Sequence, residues 1–260
     1  MLHNNSATEM KIKLTALLLF IPVFAAGQTG QGQAQLCYEV GDTIASDVFL
    51  YDAAGERKPL LDLAGSESKV IYLLLFGGPT LNASESYGGL WCVDSFNDMP
   101  VSNYLYLKYR NRGVAFVAVA CPPIYGEEEY GFAPEVFLPQ PDTSAIWRGE
   151  FQNFVQACYE LQSNHVIPFE RLYFDPKFRL MYNHKKQVAF SDPILSWMGR
   201  FKPCSDAQSY SLPAIWIFST SGRVLHEPFA GNRYSASTQR LQYTAREVES
   251  AVLQALEHKQ

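Results

Sequence analysis

Three short, almost unbroken apolar runs constrain this chain more than any other feature: Val70-Ile-Tyr-Leu-Leu-Leu-Phe76, Val114-Ala-Phe-Val-Ala-Val-Ala120 and Ala214-Ile-Trp-Ile-Phe218. Each is too short for a typical helix and shows no polar alternation. Runs of this kind read as strands buried on both faces of a sheet, the pattern of a parallel or mixed sheet covered by other elements. The first is bounded by Gly77-Gly78-Pro79 and the third by Ser219-Thr-Ser-Gly222, both turn signals, with Arg223 to Leu225 continuing the third as a hairpin.

Helical patterns lie between and after these runs. Ser95 to Tyr109 predicts a helix with Val101, Tyr104, Leu105 and Tyr109 toward the core. Gly113 suits its left-handed stop. Strand, helix and strand in this order make a βαβ unit. Gly149 to Ser163 predicts a second helix, with Phe151, Phe154, Val155, Cys158 and Leu161 on one side. Glu170 to Phe174 reads as a short strand, followed by a helical turn through Tyr182. The last helix, Thr244 to Glu257, opens with a capping box, Thr244 followed three residues later by Glu247. The expected class is therefore α/β, with a mixed central sheet flanked by helices.

Composition narrows the function classes. The chain has 260 residues, 18% charged, with a formal net charge of −5. Its Lys and Arg are scattered and form no long basic block, so nucleic acid is not an expected partner. Residues 1–27 read as a signal peptide. Met10 is a plausible true start, followed by Lys11 and Lys13, an apolar run from Leu14 to Phe24, and the small residues Ala25-Ala26-Gly27. That run is too short to span a membrane. Residues 28–39 then form a leader and 40–258 a single domain, with a periplasmic or secreted location expected.

All five cysteines follow the signal: Cys37, Cys92, Cys121, Cys158 and Cys204. An odd number leaves at least one outside any internal pair. No Cys-x-x-Cys or His-x-x-x-His spacing occurs, so neither a metal nor a cofactor is expected.

The stretch Leu90-Trp-Cys-Val-Asp-Ser-Phe-Asn-Asp-Met-Pro100 resembles the Trp-Cys-x-x-Cys-x-x-Glu-x-Pro active-site helix of TlpA/ResA-like thioredoxin-fold proteins. These belong with the wider redoxin group that includes the AhpC/TSA peroxiredoxin-like proteins. The resemblance continues through Leu105 to Val119, His165 to Phe169, Leu172 to Pro176 and Ser211 to Val224. It implies a thioredoxin-like fold, elaborated here by insertions at about 77–90, 122–148 and 184–210.

Carried over by position, Cys92 matches the nucleophilic cysteine, Trp91 its neighbour, and Pro213 the cis-proline that presents backbone to a substrate strand. A cysteine at a helix start has physical support for that role, because unpaired N–H groups and the positive end of the helix dipole favour thiolate over thiol. Ser95 stands where the family has its resolving cysteine. A hydroxyl cannot resolve a mixed disulfide, though it can donate a hydrogen bond to the Cys92 sulfur. Cys121, at a strand end on the expected sheet edge of Cys92, and Cys204, before the Pro213 loop, are candidate resolving thiols. Cys158 reads as core.

The expected activity is thiol–disulfide exchange by an exported protein, with Cys92 as monothiol nucleophile and thiol or disulfide proteins, or small thiols, as partners. Two alternatives stand beside it. One is a thiol peroxidase of the redoxin group, acting on peroxides through a sulfenic acid. The other is a thioredoxin-like binding module that has lost catalysis.

Overall fold

The computed structural model describes residues 38–46, 48–80, 86–121, 145–174, 181–183, 188–190, 212–231, 234–235 and 240–257. The signal segment, leader residues 28–37 with Cys37 among them, and Cys204 lie outside them.

The centre is β3 (Val70–Gly77), whose eight residues are all buried. It runs parallel to β4 (Val114–Cys121) in a register that pairs Val70 with Val114 and Gly77 with Cys121. On its other side it runs antiparallel to β8 (Ala214–Ser219). The short strands β5 (Leu172–Tyr173) and β9 (Phe229–Ala230) complete a five-stranded mixed sheet of order β5-β4-β3-β8-β9.

Helix α1 (Val93–Tyr109) joins β3 to β4, and α2 (Ala145–Ser163) lies between β4 and β5. Two parallel crossovers stepping the same way along a sheet, each with the usual right hand, put their helices on one face. The buried side chains agree. Val70, Tyr72, Leu74 and Phe76 of β3 pack with Leu105 and Tyr106 of α1, with Phe151, Phe154 and Cys158 of α2, and with Val248 and Val252 of the last helix, α3 (Ala245–Glu257). The alternate residues Ile71, Leu73 and Leu75 pack on the opposite face with Trp216, Phe218, Leu50 and Leu60. Leu50 comes from a small hairpin, β1 (Phe49–Tyr51) and β2 (Arg57–Pro59), and Leu60 directly follows β2. Strand period two thus explains why the runs carry no polar residues, since both faces are covered.

This is the mixed-sheet α/β architecture expected above, and it is a thioredoxin-like fold: a parallel β-α-β unit, an antiparallel β8–β9 pair and a closing helix on the α1 face.

Local details differ from the sequence pattern at several points. Helix α1 starts at Val93, two residues before Ser95, because Cys92 caps it. Tyr104 is exposed and Tyr106 takes the buried place, so the inward stripe runs through residues 98, 99, 101, 102, 105, 106 and 109. Tyr104 instead joins Lys108 and Glu249 at the α1–α3 seam, where Lys108 Nζ lies 2.6 Å from Glu249. The expected insertion at 122–148 overlaps α2, which begins at Ala145, while 122–144 lie outside the described residues. Of the helical turn expected through Tyr182, residues 175–180 lie outside the described residues. Met181–Asn183 is a strand, β6, paired with β7 (Val188–Phe190) inside the segment 184–210 read as irregular. A further two-residue pair, β10 (Tyr234–Ser235) and β11 (Arg240–Leu241), precedes α3.

The α3 capping box is complete. Thr244 Oγ1 accepts the Glu247 N–H at 3.2 Å, and Glu247 Oε2 accepts the Thr244 N–H at 2.6 Å. Thr244→Ala removes one half of it and is expected to cost about 1 kcal/mol in a denaturant melt. A change below about 0.3 kcal/mol would mean that packing of α3 alone sets the helix start.

Candidate functional site

The site is built at the C-terminal end of β3, where Gly77 and Gly78 turn the chain toward α1. A side chain at Gly77 has no room. A Cβ there would stand 2.3 Å from Cys92 Cβ and 3.0 Å from the Trp91 ring. The absence of that atom is what lets the start of α1 close onto the end of the central strand. Gly78 binds on both sides, donating its N–H to Cys121 O at 2.6 Å and accepting the Trp91 N–H at 3.1 Å. The loop before Trp91 folds back on the strand end, with Pro79 bridged to Leu90 and Thr80 N–H donating to Gly89 O. Residues 81–85 of the expected 77–90 insertion lie outside the described residues.

Cys92 is the N-cap of α1, extended at φ −101° and ψ 112°. Its sulfur accepts the backbone N–H of Ser95 at 3.4 Å. It therefore occupies the place of the usual capping oxygen and satisfies one of the helix's orphan donors. The same sulfur lies 3.6 Å from the carbonyl oxygen of Leu212, to which the thiol donates. The Leu212–Pro213 peptide bond is cis. Cys92 is 9% exposed, at the edge of burial.

Ser95 makes its contact with the sulfur through its backbone. Its hydroxyl is 1% exposed and accepts the Gly77 N–H at 2.9 Å. Gly77 is the last residue of β3, so the hydroxyl ties the first turn of α1 to the strand beneath it. No hydrogen bond from the Ser95 hydroxyl to the Cys92 sulfur occurs; the expected donor is replaced by the N–H of the same residue.

Trp91 packs its ring over Gly77, and its indole N–H donates to Cys121 O at 2.8 Å. The structure thus brings Trp91, Cys92, Ser95, Pro213 and Cys121 to one end of the sheet. Cys204 is not among the described residues. Cys92, Cys121 and Cys158 are all buried thiols. Cys158 sits fully buried on α2, and burial pushes its thiol far above the ordinary range, as befits a core residue.

Two acidic residues of α1 escaped attention at the sequence level. Asp94, in the first turn, has its carboxyl raised by burial. Asp98 is 2% exposed, and its Oδ2 accepts the Tyr243 hydroxyl at 3.1 Å. Asp98 occupies the place of the glutamate in the Trp-Cys-x-x-Cys-x-x-Glu-x-Pro pattern, a signal that was available. Close to Cys92 in sequence, Tyr87, Val93 and Phe96 are exposed apolar side chains, with the Phe96 ring lying over Gly88.

A separate open groove of about 730 Å³ lies between β9 and α3, lined by His226, Phe229, Tyr243 and Arg246 among others. Neither Cys92 nor any residue touching its sulfur contributes to it. Among the described residues, no three His, Cys, Asp or Glu side chains converge as a metal site, and no helix is long and apolar enough to cross a membrane.

A thioredoxin-like fold with a capping thiol beside a cis-proline thus describes the molecule. No family model and no curated protein matches the sequence. Among solved structures, the chain is similar to a protein of Chlorobium tepidum assigned as the thiol:disulfide interchange protein DsbE. Identity is 18%, coverage 84% of this chain and 98% of the other, and the TM-score 0.40. It is similar also to a thioredoxin-like protein of Aeropyrum pernix, at 16% identity, 79% and 88% coverage and a TM-score of 0.41. A third is the peroxidoxin BcpB of Mycobacterium tuberculosis, at 10% identity, 84% and 96% coverage and a TM-score of 0.41. Likeness at these values carries nothing about chemistry, which rests on this chain's own site.

Proposed function

We propose that this chain is an exported, thioredoxin-like thiol–disulfide oxidoreductase of the redoxin type, with Cys92 as its monothiol nucleophile. One observation carries the reading. The Cys92 sulfur is held at the N-cap of α1 by the Ser95 N–H while lying 3.6 Å from Leu212 O, directly before cis-Pro213. The Ser95 N–H is aimed at the sulfur from the first turn of a seventeen-residue helix. Thiolate is the species that attacks a disulfide.

In the proposed reaction the Cys92 thiolate attacks one sulfur of a substrate disulfide. A mixed disulfide forms and a substrate thiolate departs, taking up the proton that Cys92 released. Ser95 has no sulfur with which to complete the exchange. Its hydroxyl, accepting from Gly77, keeps the start of α1 and the strand end together so that Cys92 stays in register with Leu212. The substrates fitting an edge-of-burial thiol flanked in sequence by Tyr87, Val93 and Phe96 are exported thiol or disulfide proteins and small thiols.

The test is competitive alkylation of the native protein with iodoacetamide between pH 6 and 9, mapped by mass spectrometry. Cys92 is expected to label first and faster than a free model thiol, with Cys158 labelled only after unfolding. Labelling of Cys92 no faster than glutathione across that range would overturn the proposal and leave a thioredoxin-like binding module.

A further inference from the structure

Resting on Cys92 as nucleophile, we infer that Cys121 is the resolving thiol, so that the chain closes an internal Cys92–Cys121 disulfide that its motif does not announce. Cys121 ends β4 in direct register with Gly77, the last residue of β3. Paired residues of adjacent parallel strands project to the same face, with corresponding atoms about 4.8 Å apart. A Cβ on Gly77 would therefore stand about 4.8 Å from Cys121 Cβ. That same position is 2.3 Å from Cys92 Cβ. The two cysteine Cβ atoms are thus separated by between about 2.5 and about 7 Å, a range that contains the 3.5–4.5 Å of a disulfide. Both side chains also belong to the same buried cluster, on the sheet face opposite α2.

Trp91 reports on the closure. Its ring lies beside Gly77, and its N–H is anchored on the Cys121 carbonyl. Joining Cys121 to Cys92 therefore alters the surroundings of that indole.

The chemistry balances with a disulfide RSSR as oxidant. Cys92 thiolate attacks RSSR, forming Cys92–S–SR and releasing RS⁻. Cys121, whose thiol points at Val119 O in the reduced structure, then loses its proton and attacks the Cys92 sulfur. The Cys92–SR bond breaks, the second RS⁻ leaves, and the two thiol protons end on the two departing thiolates. One RSSR is reduced to two RSH as one internal disulfide forms.

The probe is 5,5′-dithiobis(2-nitrobenzoate), added in equimolar amount to the native full-length protein. Chromophore release, tryptophan fluorescence and peptide mapping are followed together. Both thionitrobenzoate anions are expected to leave, the second accompanied by a change in Trp91 emission, with the Cys92 and Cys121 peptides recovered joined. Cys121→Ala, with Cys121→Ser as a second variant should one fold poorly, is expected to stop after the first anion and retain the adduct on Cys92. Wild-type protein that keeps the adduct on Cys92, or joins Cys92 to Cys37 or Cys204, overturns the resolving role while leaving Cys92 as nucleophile. No adduct on Cys92 at all overturns the proposed function itself.

Discussion

Valine at position 77 is expected to disconnect the site from the sheet. The Cβ alone would fall 2.3 Å from Cys92 Cβ, a separation that packed carbon atoms do not tolerate, and the two further methyls of valine add to it. The neighbours have little freedom to yield. Cys92 is pinned through its sulfur to Ser95 and Leu212, and Trp91 through its indole to Cys121. On the other side β3 is the central strand, paired along its length with β4 and β8. The start of α1 is therefore the part that moves. Its displacement breaks the Ser95 hydroxyl bond to the Gly77 N–H, leaving a buried donor unsatisfied. Overpacking of this kind costs about 1–3 kcal/mol, and the lost buried hydrogen bond adds about 1–3 kcal/mol more. Chemical denaturation would read the stability change, and the rate of Cys92 alkylation would report the site. A variant as stable as wild type, with Cys92 unchanged in reactivity, would mean that the approach of the strand end to α1 is looser than these contacts state.

Trp216→Ala tests the other half of the scaffold. Trp216 is fully buried in β8, paired with Leu73 across the sheet, and belongs to the cluster that also holds Cys92, Cys121 and Leu212. Truncation leaves a cavity that β3 and β8 cannot collapse into, because their hydrogen-bond register fixes their spacing. A loss of about 3–5 kcal/mol is expected. For a marginally stable domain this approaches the whole of its folding free energy. The functional consequence has a direction as well. Leu212 and Pro213 immediately precede β8, so loosening that strand shifts the carbonyl against which the sulfur rests. Thermal melts and Cys92 alkylation should change together. A large stability loss with unaltered Cys92 reactivity would separate the Leu212 carbonyl from the behaviour of the thiol.

Much of the scaffold is legible in local pattern. The runs at 70–76, 114–120 and 214–218 each became a central strand, lengthened by one residue at its C-terminal end. The Thr244–Glu247 box took the role its chemistry prescribes, whereas Gly113, left-handed at φ +81°, lies three residues beyond the C-cap Arg110 and turns the chain into β4 instead of capping α1. These are properties of single segments, and a covered sheet needs nothing more than unbroken apolarity to be recognised. The failures are also local in origin. Tyr104 and Tyr106 are equally good candidates for burial on α1, and the choice belongs to the partners. Tyr106 meets Phe116 and Phe169, whereas Tyr104 finds Lys108 and Glu249. At 181–190 short polar and apolar residues in mixed order gave no period, so the β6–β7 pair left no trace.

The sequence by itself determined the mixed sheet, because strand burial is written in consecutive residues, and the resemblance of residues 90–100 to the Trp-Cys-x-x-Cys helix placed one thiol, Cys92, at the start of α1. Only the tertiary structure decided what surrounds that sulfur. Leu212 comes from 120 positions away, and the Ser95 hydroxyl turns to Gly77, 18 positions back, instead of to its neighbour's sulfur. The pairing of Gly77 with Cys121 is a matter of strand register, which no local pattern states. Registers and crossovers are settled by how two faces fill with side chains at once, and that is a property of the packed molecule, absent from any one stretch of the chain.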